Sequence, residues 1–228
     1  RSTTGAVTVT ADRTQMPSGI GHSVQNREVM ARIQPESLHE AGVLPIEDWL
    51  DACRAALGAL APADIEQPRI VMMTPGASVR THTEHAYLAR TMGFTLVEPS
   101  DLTVRDAKVW LKSVAGLEPV HVILRLVPSP DCDPLELWTD SVLGVAGLVE
   151  ACRRQNVAVA NPLGSGVGEC AALLPFMPRL TRTLLGEEPL IESAPTWWCG
   201  EPTGLSHVLV NLDTLLIRSR DPVAGRHT

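Results

Sequence analysis

The chain has 228 residues, a net charge of −7 and 44% hydrophobic residues, enough for one large domain or two small ones with a buried core. It contains no basic run and no basic patch interleaved with aromatic residues, which argues against nucleic acid as a partner. No apolar run approaches the ~20 residues that a membrane span requires. The five cysteines are widely spaced without a CxxC pair, which disfavours a disulfide framework or zinc ribbon and favours a reducing, cytoplasmic location. Because the chain begins with Arg1, without a Met or a signal peptide, we expect it to be an internal piece of a longer protein.

The first 68 residues predict one strand and two helices. Residues 6–10 are β-branched and alternating, which is typical of a strand, and a polar loop follows at residues 12–21. A helix is predicted over residues 26–32 and a better-defined one over 45–60, where apolar residues recur at helical spacing. The pair Gln67-Pro68 marks the predicted domain boundary.

From Arg69 onward, short apolar strands alternate with helical segments. Strands are predicted at residues 70–73, 95–97, 120–124 and 157–160, with a hairpin at 102–111. Helices are predicted at residues 83–92, within 135–152, and after the loop 161–168. This alternation is typical of an α/β fold with a parallel, doubly wound sheet, so we expect helices on both faces of the sheet from Arg69 to about Cys199.

In such a sheet, ligands gather at the carboxyl ends of the strands, and distinctive loops follow several strands here. The turn Pro17-Ser18-Gly19 offers a hydroxyl and a glycine amide to an anionic group, although it also reads as an ordinary turn. Residues 161–168 are glycine-rich, as in anion-binding loops that open a helix, but lack a Walker lysine, so a substrate loop is favoured over a triphosphate site. An NAD enzyme is disfavoured because no GxGxxG follows the first strand.

Arg125 ends a strand of apolar residues, and a guanidinium there suits bidentate binding of a carboxylate. The competing interpretation is a structural ion pair with Asp131 or Asp133, because an unpaired buried charge is too costly to keep. Glu84 and His85 point about 100° apart on a helix, so an interior His85 is favoured over a general base. The pair Trp197-Trp198 reads as a packed corner rather than a ligand platform.

Nine strings in order resemble the circularly permuted ATP-grasp family, in particular the bacterial type-2 proteins. The similarity extends from about Thr8 to Ile217. Among the strings are Asp12-Arg13-Thr14-Gln15-Met16-Pro17-Ser18-Gly19, Asn26-Arg27, Thr74-Pro75-Gly76, Glu84-His85-Ala86-Tyr87-Leu88-Ala89-Arg90, Val122-Ile123-Leu124-Arg125, Asp140-Ser141-Val142-Leu143-Gly144 and Gly164-Ser165-Gly166. The family is similar in layout to glutathione synthetase and more loosely related to glutathionylspermidine synthetases.

The resemblance implies a Rossmann-like, parallel-sheet substrate domain at residues 69–207, preceded by a partial ATP-grasp segment at 1–68 and followed by a truncated start of the nucleotide-binding part at 208–228. It implies that the full-length protein is a carboxylate–amine ligase that uses ATP and Mg²⁺ to form an acyl phosphate. This chain alone is expected to be inactive and to bind neither ATP nor a metal tightly. The substrate is expected to be a small molecule or peptide. Its expected binding residues are Ser18, Gly19, Asn26, Arg27, Thr74, Gly76, Arg125, Asn161, Gly164, Ser165 and Gly166.

Two departures from the family pattern bear on function. Many members carry an acidic residue where Ala11 stands and a second arginine where Leu126 stands. The alternative function is therefore a non-catalytic peptide-binding or scaffolding domain. Family members are often coupled to an alpha-E domain or a transglutaminase-like protein, and the resemblance implies such a partner here.

Overall fold

In the computed structural model, the predicted alternation of strands and helices is present. The structure describes Gly5 and residues 7–219. The strands are β1 (Ile70–Met73), β2 (Thr95–Val97), β3 (Leu102–Arg105), β4 (Lys108–Ser113), β5 (Gly116–Val120), β6 (Val122–Arg125) and β7 (Ala158–Ala160). The helices are α1 (Ile20–Ile33), α2 (Pro35–Glu40), α3 (Glu47–Gly58), α4 (His82–Met92), α5 (Leu148–Arg153), α6 (Met177–Leu185) and α7 (Pro202–Val210).

Four strands form a parallel sheet in the order β2-β1-β6-β7. The predicted α/β class with a parallel sheet is thereby confirmed. β3, β4 and β5 form a separate antiparallel sheet of three strands, whose first two are the predicted hairpin. The apolar run at residues 120–124 belongs to both sheets, since Val120 ends β5 and Val122 begins β6.

Alternate residues of the parallel sheet enter two different cores, as the period of two in a strand requires. Val71, Met73 and Ile123 are fully buried on one face, and Met72 is fully buried on the other. Complete burial of each such side chain contributes about 1.5–3 kcal/mol. The sheet is therefore buried on both faces, as parallel sheets are.

Helices cover one face of the sheet, and a mixed layer covers the other. The core around Met72 includes Val24 of α1, Leu50 of α3 and Leu88 of α4. The opposite core contains Leu148 of α5 together with side chains of the antiparallel sheet. Helices are thus present on both faces, but of the described helices only the short α5 is found on the second face, together with the antiparallel sheet. The predicted extent to about Cys199 is not reproduced, because residues 165–199 belong to the other unit.

The predicted helix within residues 135–152 is reduced to the six residues of α5. Asp133 is fully buried, and its carboxylate accepts hydrogen bonds from the N–H groups of Leu135, Gly147 and Val149. Gly144 packs so closely on Pro134 that a Cβ would lie 2.5 Å from its ring. These contacts fix an irregular segment before α5, and they show that Asp133 is engaged by main-chain amides.

The chain divides into two units, Gln15–Gly164 and a second one that joins Arg1–Thr14 to Ser165–Thr228. Both sheets lie in the first unit. In the second, 3₁₀ turns replace the helix expected after residue 168, and α6 and α7 follow. The strand predicted at residues 6–10 includes residue 6, which lies outside the described residues, and Val9 forms a single parallel bridge with Ser193. The predicted domain bounds at residues 68 and 207 stay a prediction.

None of the described helices combines the length and apolar character needed to cross a membrane.

Candidate functional site

The parallel sheet has a topological switch point between β1 and β6. The chain places β2 on one side of β1 and then returns to add β6 and β7 on the other. Open parallel sheets bind ligands in the crevice at the carboxyl ends of strands where the order reverses in this way. The loops that leave β1 and β6 are adjacent there, since the N–H of Leu126 donates to the carbonyl of Met73 at 2.9 Å. The candidate site is this edge of the sheet.

The loop after β1 contains the predicted residues Thr74 and Gly76. Thr74 is buried, and its Oγ1 lies 2.9 Å from Nδ1 of His85 and accepts a hydrogen bond from the N–H of Gly76. Gly76 has φ 97°, and a Cβ there would lie 2.7 Å from Oε1 of Glu98. Only glycine fits this position without strain, so the loop brings main chain against a carboxylate.

Glu84 connects α4 to the start of α1. Its buried carboxylate accepts hydrogen bonds from the N–H of Gly19 at 2.6 Å and of Gly21 at 3.0 Å. Main-chain amides at a helix start have no partner within the helix and favour an anion. Glu84 therefore holds the predicted Pro17-Ser18-Gly19 turn, and its neighbour His85 holds the loop at Thr74.

His85 is an interior residue, as its sequence context predicted. Burial lowers its pKa, against the opposing effect of the Glu84 carboxylate beside it. A lowered pKa favours the neutral imidazole at pH 7, which suits the contact with Thr74. His82, at the start of α4, has a buried Nδ1 with no hydrogen-bond partner among the residues that the structure describes.

Arg125 is fully buried at the end of β6 and contacts main-chain carbonyls. Its Nε donates to Asn161 at 3.0 Å, its Nη1 to Val127 at 2.5 Å and its Nη2 to Pro162 at 3.2 Å. These bonds tie the end of β6 to the loop after β7. In this arrangement the guanidinium positions the loop, and its direct binding of a substrate carboxylate stays a prediction.

The loop after β7 contains Asn161 and Gly164 and is held from a second side. The N–H of Gly164 donates to Oγ of Ser129, and the N–H of Ser129 donates to Oε1 of Gln15. Gly164 is exposed with φ 87°, and no atom lies within 4 Å of the position of a Cβ. The loop thus presents an open glycine at the rim of the sheet.

The remaining predicted residues lie apart from these networks. Ser18 and Asn26 are exposed, and Arg27 donates from Nη1 to the carbonyl of Leu44 at 2.6 Å. Ser165 and Gly166 begin the 3₁₀ turn Ser165–Glu169 in the other unit, where Oγ of Ser165 donates to the carbonyl of Thr14. The structure brings together Gly19, Thr74 and Gly76 through α4, and Arg125, Asn161 and Gly164 through the loop after β7.

Sequence reasoning missed Glu84 and Glu98 as members of this rim. The 100° between neighbouring helix positions predicts that Glu84 and His85 do not face one ligand together, and in the structure each contacts a different loop. The glycines that the two carboxylates approach, Gly21 and Gly76, were the available signal, since a glycine beside a strand end or at a helix start often marks a close approach.

Metal-binding side chains are not clustered in the described part of the chain. Within Gly5 and residues 7–219, no group of three or more His, Cys, Asp or Glu side chains is arranged to hold a metal ion. Magnesium is held by carboxylate oxygens in near-octahedral geometry, usually together with substrate phosphates.

The parallel sheet, with helices packed against it, defines the class of the protein as α/β. Residues 1–228 match the family model for circularly permuted ATP-grasp type 2. The chain belongs to this family.

Its relatives include mycobacterial and cyanobacterial proteins. The chain is 44% identical over 215 residues to the uncharacterized protein Rv2567 of Mycobacterium tuberculosis, covering 94% of this chain and 24% of the relative. It is 33% identical over 217 residues to the uncharacterized protein sll0335 of Synechocystis, covering 95% and 45%. With ML0605 of Mycobacterium leprae the identity is 34% over 225 residues, covering 99% and 40%. The chain thus spans less than half the length of these relatives.

Proposed function

We propose that this chain is the substrate-binding portion of an ATP-dependent carboxylate–amine ligase. Family membership supports the ATP-dependent chemistry, and the switch point between β1 and β6 supports the location of the substrate site. In the full-length protein, ATP and Mg²⁺ would activate a carboxylate as an acyl phosphate, which an amine attacks. The residues of this chain bind and orient the substrate.

The observation that carries the proposal is the pair of constrained loops on adjacent strand ends. Thr74 is fixed by His85, and Asn161 and Pro162 are fixed by Arg125. Because these loops are already fixed, the protein loses less conformational entropy when a ligand binds. Gly164 is exposed in the loop after β7, so a ligand can approach its main chain.

Two glycine substitutions test the location of the site. Gly164→Ala and Gly93→Ala both place a methyl group at a positive φ in open space. Gly164 follows β7, at the carboxyl end of a strand, whereas Gly93 precedes β2, at the amino end of a strand. In the full-length protein we expect Gly164→Ala to lower kcat/KM for acid- and amine-dependent ADP release by about tenfold or more, equivalent to ~1.4 kcal/mol. Gly93→Ala should leave it near the wild-type value. Equal effects of the two variants would place the substrate elsewhere.

The alternative is a non-catalytic domain that binds a peptide or acts as a scaffold. Ala11 and Leu126, which depart from the family pattern, favour it. The two functions differ in one measurement. A full-length protein that binds a ligand at the rim but releases no ADP in any combination of acid, amine and Mg-ATP supports the scaffold.

A further inference from the structure

The unit that joins residues 1–14 to 165–228 contains a cavity of its own. Its volume is about 310 Å³, and its charged lining residues are Asp12, Arg13, Glu169 and Arg218. Leu173, Leu174 and Met177 supply apolar lining. A volume near 300 Å³ is at the lower end of the range of small-molecule sites.

The four charged side chains balance, with two of each sign. Asp12 and Arg13 make no hydrogen bond or ion pair with any residue in the described part of the chain. Glu169 accepts a hydrogen bond from the N–H of Thr14 through Oε1, and Arg218 donates from Nη1 to the carbonyl of Thr10. These two contacts with neighbouring main chain hold opposite charges at the cavity wall.

A second cavity of about 400 Å³ adjoins the first and is mainly apolar. Both are lined by Ala171, Leu174 and Arg218. The second adds Trp197, Trp198, Val208, Leu215, Leu216 and Ile217 to its lining. One side of Trp197 is already covered, because its ring stacks on His207 at 4.1 Å. The first cavity, whose partly apolar lining includes charged groups of both signs, therefore continues into a second, mainly apolar one.

We propose that these joined cavities bind an amino acid or short peptide with an apolar side chain, without a metal. The ligand's carboxylate would pair with Arg13 and Arg218, because a guanidinium matches a carboxylate in geometry and charge. Its ammonium group would pair with Asp12 and Glu169, and its side chain would enter the apolar cavity. A polyphosphate fits less well, since two carboxylates line the cavity and no described group holds a metal to offset them. Such binding requires neither the candidate site at the carboxyl ends of the parallel strands nor ligase activity.

Calorimetric titration of the full 228-residue chain tests the proposal with L-leucine and leucyl-leucine as probes. We expect saturable binding with a Kd below about 1 mM, equivalent to roughly −4 kcal/mol. N-acetyl-leucine amide, which lacks both charges, and glycine, which lacks the apolar side chain, should each bind at least about tenfold more weakly, a difference of ~1.4 kcal/mol.

Arg13→Gln should weaken binding of leucyl-leucine about tenfold or more, because the ligand's carboxylate loses a guanidinium partner. Arg13 makes no hydrogen bond or ion pair with described residues that the substitution would break. Arg179→Gln is the matched control, since Arg179 is exposed on α6 and lines neither cavity. The proposal is overturned if neither probe binds, if both variants lower the affinity equally, or if Arg13→Gln leaves it unchanged. Binding of Mg-ATP that is tighter than that of leucyl-leucine and lost in Arg13→Gln would also overturn it, and would assign a nucleotide to the cavity.

Discussion

Replacement of Arg125 by alanine should destabilise the unit Gln15–Gly164 strongly. The guanidinium is fully buried and donates to three main-chain carbonyls, of Asn161, Val127 and Pro162. A hydrogen bond from a charged group contributes about 1.5–3 kcal/mol, and each carbonyl left buried without a donor adds a desolvation cost. Because such contributions are not additive, we expect a total loss of about 3–5 kcal/mol, as for a broken buried ion pair.

Urea unfolding followed by circular dichroism measures this loss. With an m value of about 2 kcal/mol/M, the midpoint should fall by about 2 M. Arg125→Lys keeps the charge but not the planar guanidinium, so its urea midpoint should lie between those of the wild type and Arg125→Ala. Arg105→Ala is the control at an exposed position, where a change within about 0.5 kcal/mol is expected. A midpoint for Arg125→Ala equal to that of Arg105→Ala would refute the positioning role and return Arg125 to direct substrate binding.

Three further outcomes are expected of the folded chain. Gly21→Ala should lower the free energy of unfolding in urea by about 1–3 kcal/mol, because the new Cβ would lie 2.8 Å from Cγ of Glu84. Gly58→Ala, in open space on a helix, is the control and should raise it by about 0.4–1 kcal/mol. Equal effects would contradict the close approach. Burial, and secondarily the nearby Arg69, lowers the pKa of His121, so the unfolded chain binds the proton more readily than the folded chain. The free energy of unfolding should therefore fall as the pH drops below about 6.5. His121→Gln should make this pH dependence flatter, and an unchanged pH dependence would contradict the prediction. Burial raises the pKa of Cys132 to about 11, so iodoacetamide at pH 8 should label the exposed Cys199 first and Cys132 only after unfolding; labelling of Cys132 in the native protein would count against its burial.

The sequence predicted the strands of the parallel sheet best. The bounds of β1 and β2 agree with the predicted residues 70–73 and 95–97, since each strand is short and is followed by turn residues. β1 is apolar at all four positions, whereas β2 begins with the exposed Thr95. A strand that is buried on both faces must be apolar at every position, which makes it easy to recognise. The helix α4 was likewise predicted to within one residue at its start.

Contacts between distant residues were harder to predict. The division of residues 120–124 between two sheets depends on pairing partners, with Val120 opposite Val109 and Val122 opposite Ile70. The short α5 depends on Asp133, which accepts a hydrogen bond from the N–H of Val149, 16 residues further along the chain. Local propensity predicts neither the division of residues 120–124 nor the length of α5, because tertiary contacts override it.

The candidate site was predicted in part. Thr74, Gly76 and Gly164 lie at strand ends, where parallel sheets bind ligands, and the structure joins the first two in one loop. Arg125 donates to three main-chain carbonyls, and a sequence does not show which main-chain carbonyls will lie near a side chain. From the sequence, only side chains are available as candidate partners, here those of Asp131 and Asp133.

The central claim, that the chain serves an acyl-phosphate ligase, is tested most directly by oxygen transfer. The full-length protein is incubated with Mg-ATP, a pool of amines and a pool of carboxylic acids labelled with ¹⁸O in the carboxylate. A carboxylate oxygen that attacks the γ-phosphorus releases ADP, and attack of the amine at the acyl carbon then releases phosphate that keeps this oxygen. Mass spectrometry should find one ¹⁸O in the phosphate and one amide formed per ADP. ADP release with unlabelled phosphate, or ligand binding without any ADP release, would contradict the account.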